Sequence, residues 1–472
     1  MRRVAFLLAV VLLALGAPAA AEASIAAQAV ATPTHGAAPL VVAFDASGST
    51  ADAAVVAYDW EFGDGSAGSG ATVSHEYSAA GSYIATLTVT DANGESGTAT
   101  VEVTAQTVTL ALTPGRVVYG SHVSAEGVVA PAEEGLPVVV ERLGALGAWE
   151  ALATAATDAA GAFALSFVAA GHGPIRARLE ETGAISAEQP LSVVPNVIVN
   201  SPTGRAFLGA RLAADVAPAT YTGRVLITVR KYDRLVGRVS AWVVDGRMRV
   251  RIPTPGLGGF SVRLAFPAHG DLDARTVSTR AYATARTLRV GSQGADVRAL
   301  HARLRALRFR IPGLYGYFNF RTFDSVVAFQ KTFGLPRTGV VGAQTWNMLG
   351  RVRVVRPRYS RPSLHIEVDK SRQILMIVRR GAVSAVIPIS SGATGNTPVG
   401  AFRILWKAPA TSTWLGSAIL YRTMTFYGNF AIHGYYSVPV YPASHGCVRV
   451  PMWLADWPYD RSFVGERVYV YL

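Results

Sequence analysis

Short runs of alternating apolar and polar residues recur from residue 25 to residue 286, separated by clusters of glycine, aspartate, asparagine and serine. A period of two residues places every second side chain on one face of a strand. Turn residues about every eight to twelve positions are typical of β-sandwiches. The pattern predicts three consecutive β-sandwich modules, residues 24–105, 106–194 and 195–286.

The hydrophobic period changes near residue 287. Four apolar residues follow at spacings of three and four, which is one face of a helix: Val297, Leu300, Leu304 and Leu307. Asp296 suits the first turn of that helix, because a carboxylate there interacts favourably with the helix dipole. We expect a second helix with Thr322 as its N-cap, ended by Gly334-Leu335-Pro336. Residues 287–350 are therefore predicted to form a small helical domain that contains at least these two helices.

The last part of the chain returns to β-rich runs. Residues 351–362 contain five arginines and two prolines and are predicted to be a linker. Residues 363–472 then carry apolar runs at 374–378, 383–389 and 468–472. The chain as a whole is predicted to be a multidomain, mainly β protein.

Charge is distributed unevenly along the 472 residues. The formal net charge is +13, yet residues 24–196 hold 4 basic and 18 acidic residues, whereas residues 197–472 hold 38 basic and 12 acidic residues. A strongly basic half indicates a polyanionic partner such as nucleic acid, an anionic membrane surface or an acidic cell-wall polymer.

Residues 1–23 have the features of a secretory signal peptide. Arg2 and Arg3 precede an apolar run, and Ala21-Glu22-Ala23 matches an A-x-A cleavage site. The alternative is an N-terminal membrane anchor retained in the mature protein, although the run is short for a membrane span. No later stretch reaches about 18 consecutive apolar residues, so no internal span is expected. Export argues against nucleic acid as the partner.

Cys447 is the one cysteine of the chain, so an exported form has a thiol without an intrachain partner. His433 lies far enough upstream to sit on an adjacent strand facing the cysteine. His445 lies two positions away, and residues i and i+2 of a strand share a face. A cysteine becomes nucleophilic when an imidazole takes its proton or an ion pair stabilises the thiolate. Taken singly, a buried cysteine or histidine is more often structural.

The sequence predicts neither a metal nor another cofactor. The remaining histidines are scattered, and the chain contains no H-E-x-x-H motif and no paired cysteine spacing. One alternative groups Asp59, Asp64 and Asp91 as calcium ligands. Their spacing does not match a calcium loop and instead favours turns, which aspartate commonly stabilises.

Two segments resemble known extracellular β modules. Tyr-Asp-Trp-Glu-Phe-Gly-Asp-Gly at residues 58–65, together with His75-Glu76-Tyr77, resembles the PKD domain, an Ig-like module. This resemblance implies a core position for Trp60 and a tight turn at residues 63–65. Thr-Asp-x-x-Gly-x-Phe at residues 157–163 resembles bacterial Ig-like repeats and implies a turn directly before a strand.

Residues 287–350 resemble the small helical peptidoglycan-binding domain. The resemblance rests on residues 288–297, on Ala328-Phe329-Gln330 and on Thr345-Trp346, and it departs from the family at His301, where glutamine is usual. It implies a small three-helix domain that binds the cell wall. The alternative is a small apolar core that binds nothing.

Residues 363–472 resemble the catalytic domain of peptidoglycan L,D-transpeptidases. The matching segments are Ser-His-Gly-Cys-Val-Arg at residues 444–449, His433-Gly434, and Thr-Pro-Val-Gly-Ala-Phe at residues 397–402. The resemblance implies that Cys447 is the nucleophile and that His433 is its general base. It also implies that His445 supports the thiolate.

Further roles follow from the same resemblance. The carbonyl of Gly434 orients the upstream histidine, and the amides of Gly446 and of the cysteine are oxyanion donors. Arg449 and Ser444 bind substrate, with the guanidinium forming bidentate bonds to a carboxylate. For Arg449 the alternative is an ion pair that braces the loop.

The resemblance implies an exported cell-wall enzyme that forms 3-3 peptidoglycan cross-links through a Cys447 acyl-enzyme and releases D-Ala. Its partners would be peptidoglycan stem peptides and the anionic cell wall. One alternative uses the same site as an L,D-carboxypeptidase or a protein-to-peptidoglycan ligase, with water or another amine resolving the acyl-enzyme. The other is a wall-binding or adhesion protein without catalysis.

Overall fold

The computed structural model describes residues 25–311, 313, 316–412 and 419–472. The expected signal peptide, residues 1–23, lies outside the described residues. The chain forms two compact units, of which the first is Met1–Val194 with Gly270–Asp273 and the second is Pro195–His269 with Ala274–Leu472. None of the described helices is long and apolar enough to cross a membrane.

The described part of the first unit is built from strands. Their bounds are β1 Val30–Thr32, β2 His35–Ala37, β3 Leu40–Asp45, β4 Val55–Glu61, β5 Ala67–Ser69, β6 Thr72–Tyr77, β7 Gly81–Asp91, β8 Ser96–Val108, β9 Ala111–Thr113, β10 Arg116–Val118, β11 His122–Ala130, β12 Pro137–Leu143, β13 Trp149–Ala156, β14 Ala162–Val168, β15 Gly173–Leu179 and β16 Gln189–Val194. They form sheets in the orders β1-β3-β6, β10-β16-β15-β12-β13 and β14-β11-β8-β7-β4-β5, with β2 added at β8 and β9 at β11.

Strand β8 links the first two predicted modules. It runs for 13 residues, so the expected boundary at residues 105–106 falls inside a continuous strand. Most of it pairs with β7, and its last residues pair with β11. The two modules therefore share a strand instead of being joined by a loop.

An aromatic cluster fills the core at the start of the first unit. Phe44, Trp60, Phe62 and Tyr77 are all at most 2% exposed, and the ring centroids of Phe44 and Trp60 lie 5.1 Å apart. The Trp60 Nε1 donates to the carbonyl of Gly70 at 3.1 Å, which satisfies the polar atom of the buried indole. The core position implied for Trp60 is confirmed.

The predicted turns at Gly63, Asp64, Asp91 and Asp158 are confirmed, whereas the turn predicted at Asp59 is wrong because this residue pairs on both sides within strand β4. Gly63 has a φ of 83°, and a Cβ at this position would lie 2.6 Å from the carbonyl oxygen of Ile84, so only glycine fits. Asp64, Asp91 and Asp158 each accept hydrogen bonds from backbone amides two or four residues ahead. The Asp158 turn leads directly into β14.

The second unit begins with eight strands. Their bounds are β17 Asn196–Val199, β18 Thr203–Arg205, β19 Gly209–Ala217, β20 Gly223–Lys231, β21 Arg234–Val243, β22 Arg247–Ile252, β23 Gly258–Phe266 and β24 Arg275–Thr284. They pair in the order β17-β19-β18-β24-β23-β20-β21, and β22 also pairs with β19. Alternate residues of β20, namely Val225, Ile227 and Val229, are fully buried. This period of two is the one that the sequence shows.

Three helices follow, α1 Ala295–Ala306, α2 Phe320–Thr332 and α3 Ala343–Arg351. The predicted apolar face of α1 is confirmed, because Val297, Leu300 and Leu304 are fully buried and Leu307 is 2% exposed. Asp296 lies in the first turn of α1, as expected.

The expected N-cap of the second helix is wrong. The N-cap is Asn319, three residues before the predicted cap, because Asn319 has an extended backbone and its Oδ1 accepts a hydrogen bond from the Thr322 amide at 3.0 Å. Thr322 is instead buried in the first turn, where its hydroxyl contacts Nε2 of His301 at 2.9 Å. Its polar side chain therefore serves a contact between α1 and α2.

The described residues of the C-terminal region form two sheets and one helix. The bounds are β25 His365–Asp369, β26 Ile374–Arg379, β27 Ala382–Pro388, β28 Gly400–Arg403, β29 Trp406–Ser412, β30 Ile419–Tyr427, β31 Phe430–Tyr435, β32 Val448–Pro451, α4 Met452–Arg461 and β33 Arg467–Tyr471. The strand orders are β27-β26-β25-β33-β28 and β29-β30-β31-β32. The prediction of a multidomain, mainly β chain with a small helical part is confirmed.

Strand β26 is buried on both faces. Ile374, Met376 and Val378 pack in one core with α1, α2 and α3, whereas Leu375 and Ile377 pack in a second core between the two C-terminal sheets. A strand covered on both sides is apolar at every position, which explains the uninterrupted run at residues 374–378. The helices and the C-terminal sheet therefore share one hydrophobic core.

Polar contacts between side chains and distant segments accompany this shared core. They include Lys331 Nζ to the Ile389 carbonyl at 2.8 Å, Arg337 Nη1 to the Val440 carbonyl at 2.9 Å, and Trp453 Nε1 to Asp324 Oδ2 at 2.7 Å. Burial lowers the pKa of Lys331 to about 7 and raises the pKa of Asp324 to about 6. Each contact joins the helical region to a segment that flanks the Cys447 loop in sequence or in space.

The predicted linker, residues 351–362, packs against the C-terminal sheet. The amides of Arg358 and Tyr359 donate to the buried carboxylate of Glu367 at 2.9 and 2.8 Å. The ring of Tyr359 stacks on that of Tyr469 with a centroid separation of 3.9 Å. The segment is therefore anchored by both polar and aromatic contacts.

Candidate active site

Two parallel strands bring the predicted histidine and cysteine to one cleft. Ile432 of β31 lies opposite Val448 of β32, and His433 lies opposite Arg449. Neighbouring residues of a strand point to opposite faces and register partners point to the same face, so His433 and Arg449 open to one side while Ile432 and Val448 pack into the core. Cys447 directly precedes β32 and lines the same cleft, whose volume is about 660 Å³.

Six of the seven predicted site residues line this cleft: His433, Ser444, His445, Gly446, Cys447 and Arg449. The rest of its described lining is mainly aromatic or small and polar, and includes Trp406, Thr411, Ser412, Phe430 and Tyr435. The seventh predicted residue, Gly434, lies next to His433 and contacts it through its carbonyl. Peptide-sized ligands with both apolar and polar groups suit such a lining.

His433 is held in one tautomer. Its Nδ1 lies 3.1 Å from the Gly434 carbonyl, and because a carbonyl can only accept, Nδ1 carries the proton. In the neutral ring Nε2 is then a proton acceptor. Burial lowers the pKa of His433 to about 4, with Arg449 adding to this effect and the hydrogen bond to Gly434 opposing it. The ring is therefore neutral near pH 7.

The thiol of Cys447 is neutral in the resting site. Burial raises its pKa, against the opposing effects of the Ala431 backbone and the charge of Arg449. Its Sγ donates a weak hydrogen bond to the carbonyl of Asn429 at 3.6 Å. Of the two routes to a nucleophilic cysteine, these surroundings favour proton transfer to a neutral base over a preformed thiolate.

The expectation that His445 and Cys447 share the face of a strand is wrong. Residues 445–447 form a bend, and β32 begins only at Val448. Gly446 has a φ of 144°, and a Cβ there would lie 2.5 Å from the ring of Phe430, so the chain turns where a strand was expected. His445 still lines the cleft, but its side chain is exposed.

The hydroxyl of Ser444 forms hydrogen bonds within the loop that carries Cys447. This hydroxyl donates to the Cys447 carbonyl at 2.6 Å and accepts from the Gly446 amide at 3.0 Å. The side chain is buried, and both its donor and an acceptor position are used inside the loop. The same contact occupies the Gly446 amide that the resemblance offers as an oxyanion donor.

Comparison with known proteins places this site in a family. The model of the L,D-transpeptidase catalytic domain matches residues 363–470. A solved L,D-transpeptidase from Xylanimonas cellulosilytica is 36% identical, with 40% of this chain and 98% of that chain covered and a TM-score of 0.38. The chain belongs to the L,D-transpeptidase family.

Other parts of this L,D-transpeptidase match further families. The PKD domain model matches residues 25–105, and the peptidoglycan binding domain model matches residues 293–349. The PKD1 domain of Vibrio anguillarum Epp is 30% identical, covering 17% of this chain and 93% of that one, with a TM-score of 0.16. An L,D-transpeptidase from Stackebrandtia nassauensis is 21% identical, covering 39% and 95%, with a TM-score of 0.27. None of the curated proteins compared matches the chain.

Arg449 of this L,D-transpeptidase faces the cleft. Its guanidinium carbon lies 4.4 Å from the centroid of the Tyr435 ring, a cation–π arrangement that holds the side chain along the cleft wall. Arg449 takes part in none of the ion pairs among the described residues. The alternative role for Arg449, an ion pair that braces the loop, is therefore not found among these residues.

Sequence reasoning missed two residues that hold the cysteine loop from outside. Thr397 Oγ1 donates to the Gly446 carbonyl at 2.6 Å and accepts from the Gly392 amide at 2.9 Å. Asn396 Nδ2 donates to the His445 carbonyl at 2.7 Å. Thr397 begins the Thr-Pro-Val-Gly segment that the family resemblance includes, but these contacts end on backbone atoms, which carry no signature in the sequence.

We expect Thr397→Val to lower both stability and the catalytic rate of this L,D-transpeptidase. Valine keeps the shape but leaves a buried carbonyl and a buried amide unpaired, which costs about 1–3 kcal/mol each. The loss frees the loop, so the rate should fall by about tenfold or more. Thermal unfolding and initial rates measure the two effects. Thr397→Ser retains the hydroxyl and should behave like the wild type, and a valine variant with an unchanged rate would contradict the positioning role.

Proposed function

We propose that this protein is an exported cysteine L,D-transpeptidase that forms 3-3 cross-links in peptidoglycan. The observation that supports this most is that Cys447 and a neutral His433, whose Nε2 is an acceptor, line the same cleft. A base that is neutral near pH 7 can take the thiol proton as the sulfur attacks.

In the acylation step, Sγ of Cys447 attacks the carbonyl of the L,D-bond of a tetrapeptide stem. The thiol proton moves to Nε2 of His433, and the carbonyl oxygen becomes an oxyanion. The backbone amide of Cys447 is the candidate donor to this oxyanion, since the Gly446 amide already donates to Ser444. The C–N bond then breaks, D-Ala takes the proton from His433 as it leaves, and a thioester remains.

In the second step, an amine of a diamino acid from a neighbouring stem attacks the thioester. His433 accepts a proton from this amine, the C–S bond breaks, and the sulfur regains a proton from the imidazolium. The product is an amide between two stems, and the enzyme returns to its starting state. The site thus works by a ping-pong sequence in which one histidine moves both protons.

Substrate binding is assigned to the cleft around Arg449. Its guanidinium lies along the wall beside Tyr435 and can form bidentate bonds to a stem carboxylate. His445 lies at the exposed edge of the cleft and supports the site from there. Ser444 acts by shaping the loop, in place of the direct substrate contact that the resemblance implies.

Retention at the wall is the second part of the proposal. The peptidoglycan binding domain match at residues 293–349 supports binding to glycan strands, and the basic C-terminal half supports attraction to an anionic wall. Residues 1–23 would direct the chain out of the cytoplasm. The β modules would act as spacers.

The test is mass spectrometry of the purified protein incubated with a disaccharide tetrapeptide that contains diaminopimelate. We expect a cross-linked dimer that has lost one D-Ala. A tripeptide monomer would replace the proposal with a carboxypeptidase, because water would then resolve the acyl-enzyme. An unchanged substrate, with binding to purified cell walls retained, would support a wall-binding protein without catalysis.

A further inference from the structure

One sheet face of the second unit is lined with arginine. In the strand order β21-β20-β23-β24, alternate residues point outward, and five of these outward residues are arginines: Arg224, Arg230, Arg238, Arg263 and Arg280. All five are exposed. We call this surface the arginine face.

The outward positions of these four strands contain no aspartate or glutamate. Asp233 and Asp245 lie in the turns that follow β20 and β21, not on the strands. The ion pairs of the described residues include none of the five arginines. The face is therefore positive and has no compensating carboxylate on its own strands.

The strand register spaces the arginines regularly. Thr228 lies opposite Arg238 on one side and Arg263 on the other, and Ser261 lies between Arg230 and Arg280. Strands are about 4.8 Å apart, so each pair of arginines is separated by about 10 Å with a hydroxyl between them. Two parallel rows thus alternate guanidinium and hydroxyl groups, both of which donate hydrogen bonds to anionic oxygens.

The face also has a concave part. A shallow cavity of about 250 Å³ lies between β20 and β21 and is lined by Arg224, Leu226, Arg238, Val239 and Ser240. Trp242 lies opposite Arg224 in the register and is 62% exposed. Charged donors and apolar surface therefore occur side by side at one end of the face.

Like charges about 10 Å apart repel one another at moderate salt, since the screening length is then about 8–10 Å. A bound polyanion removes this repulsion and releases its own counterions, which favours binding. A flat face with charges at intervals suits an extended polymer better than a small ligand. Arginine forks match the two free oxygens of a phosphodiester, and the serine and threonine hydroxyls add donors between them.

We propose that the arginine face binds a linear phosphodiester polymer of the cell wall. This site is separate from the catalytic cleft and from the helical region, and it rests on the proposed location of the protein at the wall. It would hold the enzyme on an anionic wall polymer while the cleft remains open to stem peptides.

The test measures binding of the full chain to a poly(glycerol phosphate) chain at several salt concentrations. The face variant combines Arg238→Gln, Arg263→Gln and Arg280→Gln. The control variant combines Arg211→Gln, Arg247→Gln and Arg249→Gln, which removes the same charge from exposed positions of β19 and β22 in the same module. Thermal unfolding of all three proteins checks that each is folded.

We expect the face variant to bind about tenfold more weakly or worse near 0.15 M salt, with the slope of log K against log salt shallower by about two to three. The control variant should bind within about twofold of the wild type. Equal losses in the two variants would overturn the site, because net charge alone would then explain binding. Equally tight binding of poly(glutamate) of the same charge number would overturn the preference for phosphate.

This binding assay needs no catalysis. A protein that fails to cross-link stems but binds the polymer through the arginine face would contradict only the proposed function. A protein that cross-links stems but does not bind the polymer would contradict only this inference.

Discussion

Replacing Cys447 with alanine should abolish both D-Ala release and dimer formation, with a loss of about 10⁴-fold or more in rate. The chain has no second thiol that could take over, and the change removes only the sulfur. The loop around it is held by Ser444 and Thr397 through backbone atoms, so it should keep its shape. Without Sγ no thioester can form, and binding alone cannot break the peptide bond.

Intact-protein mass spectrometry measures this directly. With the tetrapeptide, the wild type should gain the mass of the stem minus D-Ala, and Cys447→Ala should gain nothing. The control is the melting temperature, which should change little because the hydrogen bond between the sulfur and the Asn429 carbonyl is weak. A well-folded alanine variant that still produces dimer would rule out the proposed nucleophile.

Replacing His433 with glutamine should lower kcat by about 10²–10⁴-fold, the usual worth of a positioned base. The pH profile adds a second readout. Because the pKa of His433 is lowered to about 4, the wild type should keep the base form down to about pH 5 and lose activity as the pH falls through about 4. The glutamine variant has no such group, so its residual rate should lack this acid limb.

His301→Gln is the matched control. His301 is also buried, and burial lowers its pKa to about 4 as well, but it lies between α1 and α2. For both histidines the unfolded chain binds a proton more readily than the folded one, so stability falls as the pH drops from about 6.5 toward 4. Melting curves at each pH separate this loss from loss of the base. An acid limb that His301→Gln moves and His433→Gln leaves in place would contradict the assignment.

Local patterns in the sequence predicted the parts of the molecule that depend on neighbours along the chain. The alternation of residues 24–286 identified strands, and the spacing of Val297, Leu300 and Leu304 identified a buried helix face. Trp60 and the glycine turn followed from a short motif. The cleft itself follows from the parallel pairing of β31 with β32, which the separation of His433 and Cys447 permits.

What the sequence did not predict depends on contacts with backbone atoms or with distant segments. Two residues that cap helices well, Asn319 and Thr322, stand three positions apart, and burial against His301 decides which of them caps α2. Thr397 holds the cysteine loop through the carbonyl oxygen of Gly446. Because every residue has a carbonyl oxygen, the sequence does not indicate which one Thr397 contacts. The expectation that His445 and Cys447 share a strand face is wrong because the chain bends at Gly446 and β32 begins only at Val448.

The core shared by α1–α3 and β26 determines whether the two fragments stay together after proteolytic cleavage between them. Residues 352–364 contain several exposed arginines, including Arg353 and Arg356, which trypsin-like proteases recognise. A cut there separates the chain into two pieces, but the buried apolar side chains and the Lys331 contact still hold the pieces together. The face of β26 that carries Ile374, Met376 and Val378 stays covered only in a fragment that begins before α1. A fragment that starts at residue 363 exposes this apolar face to solvent.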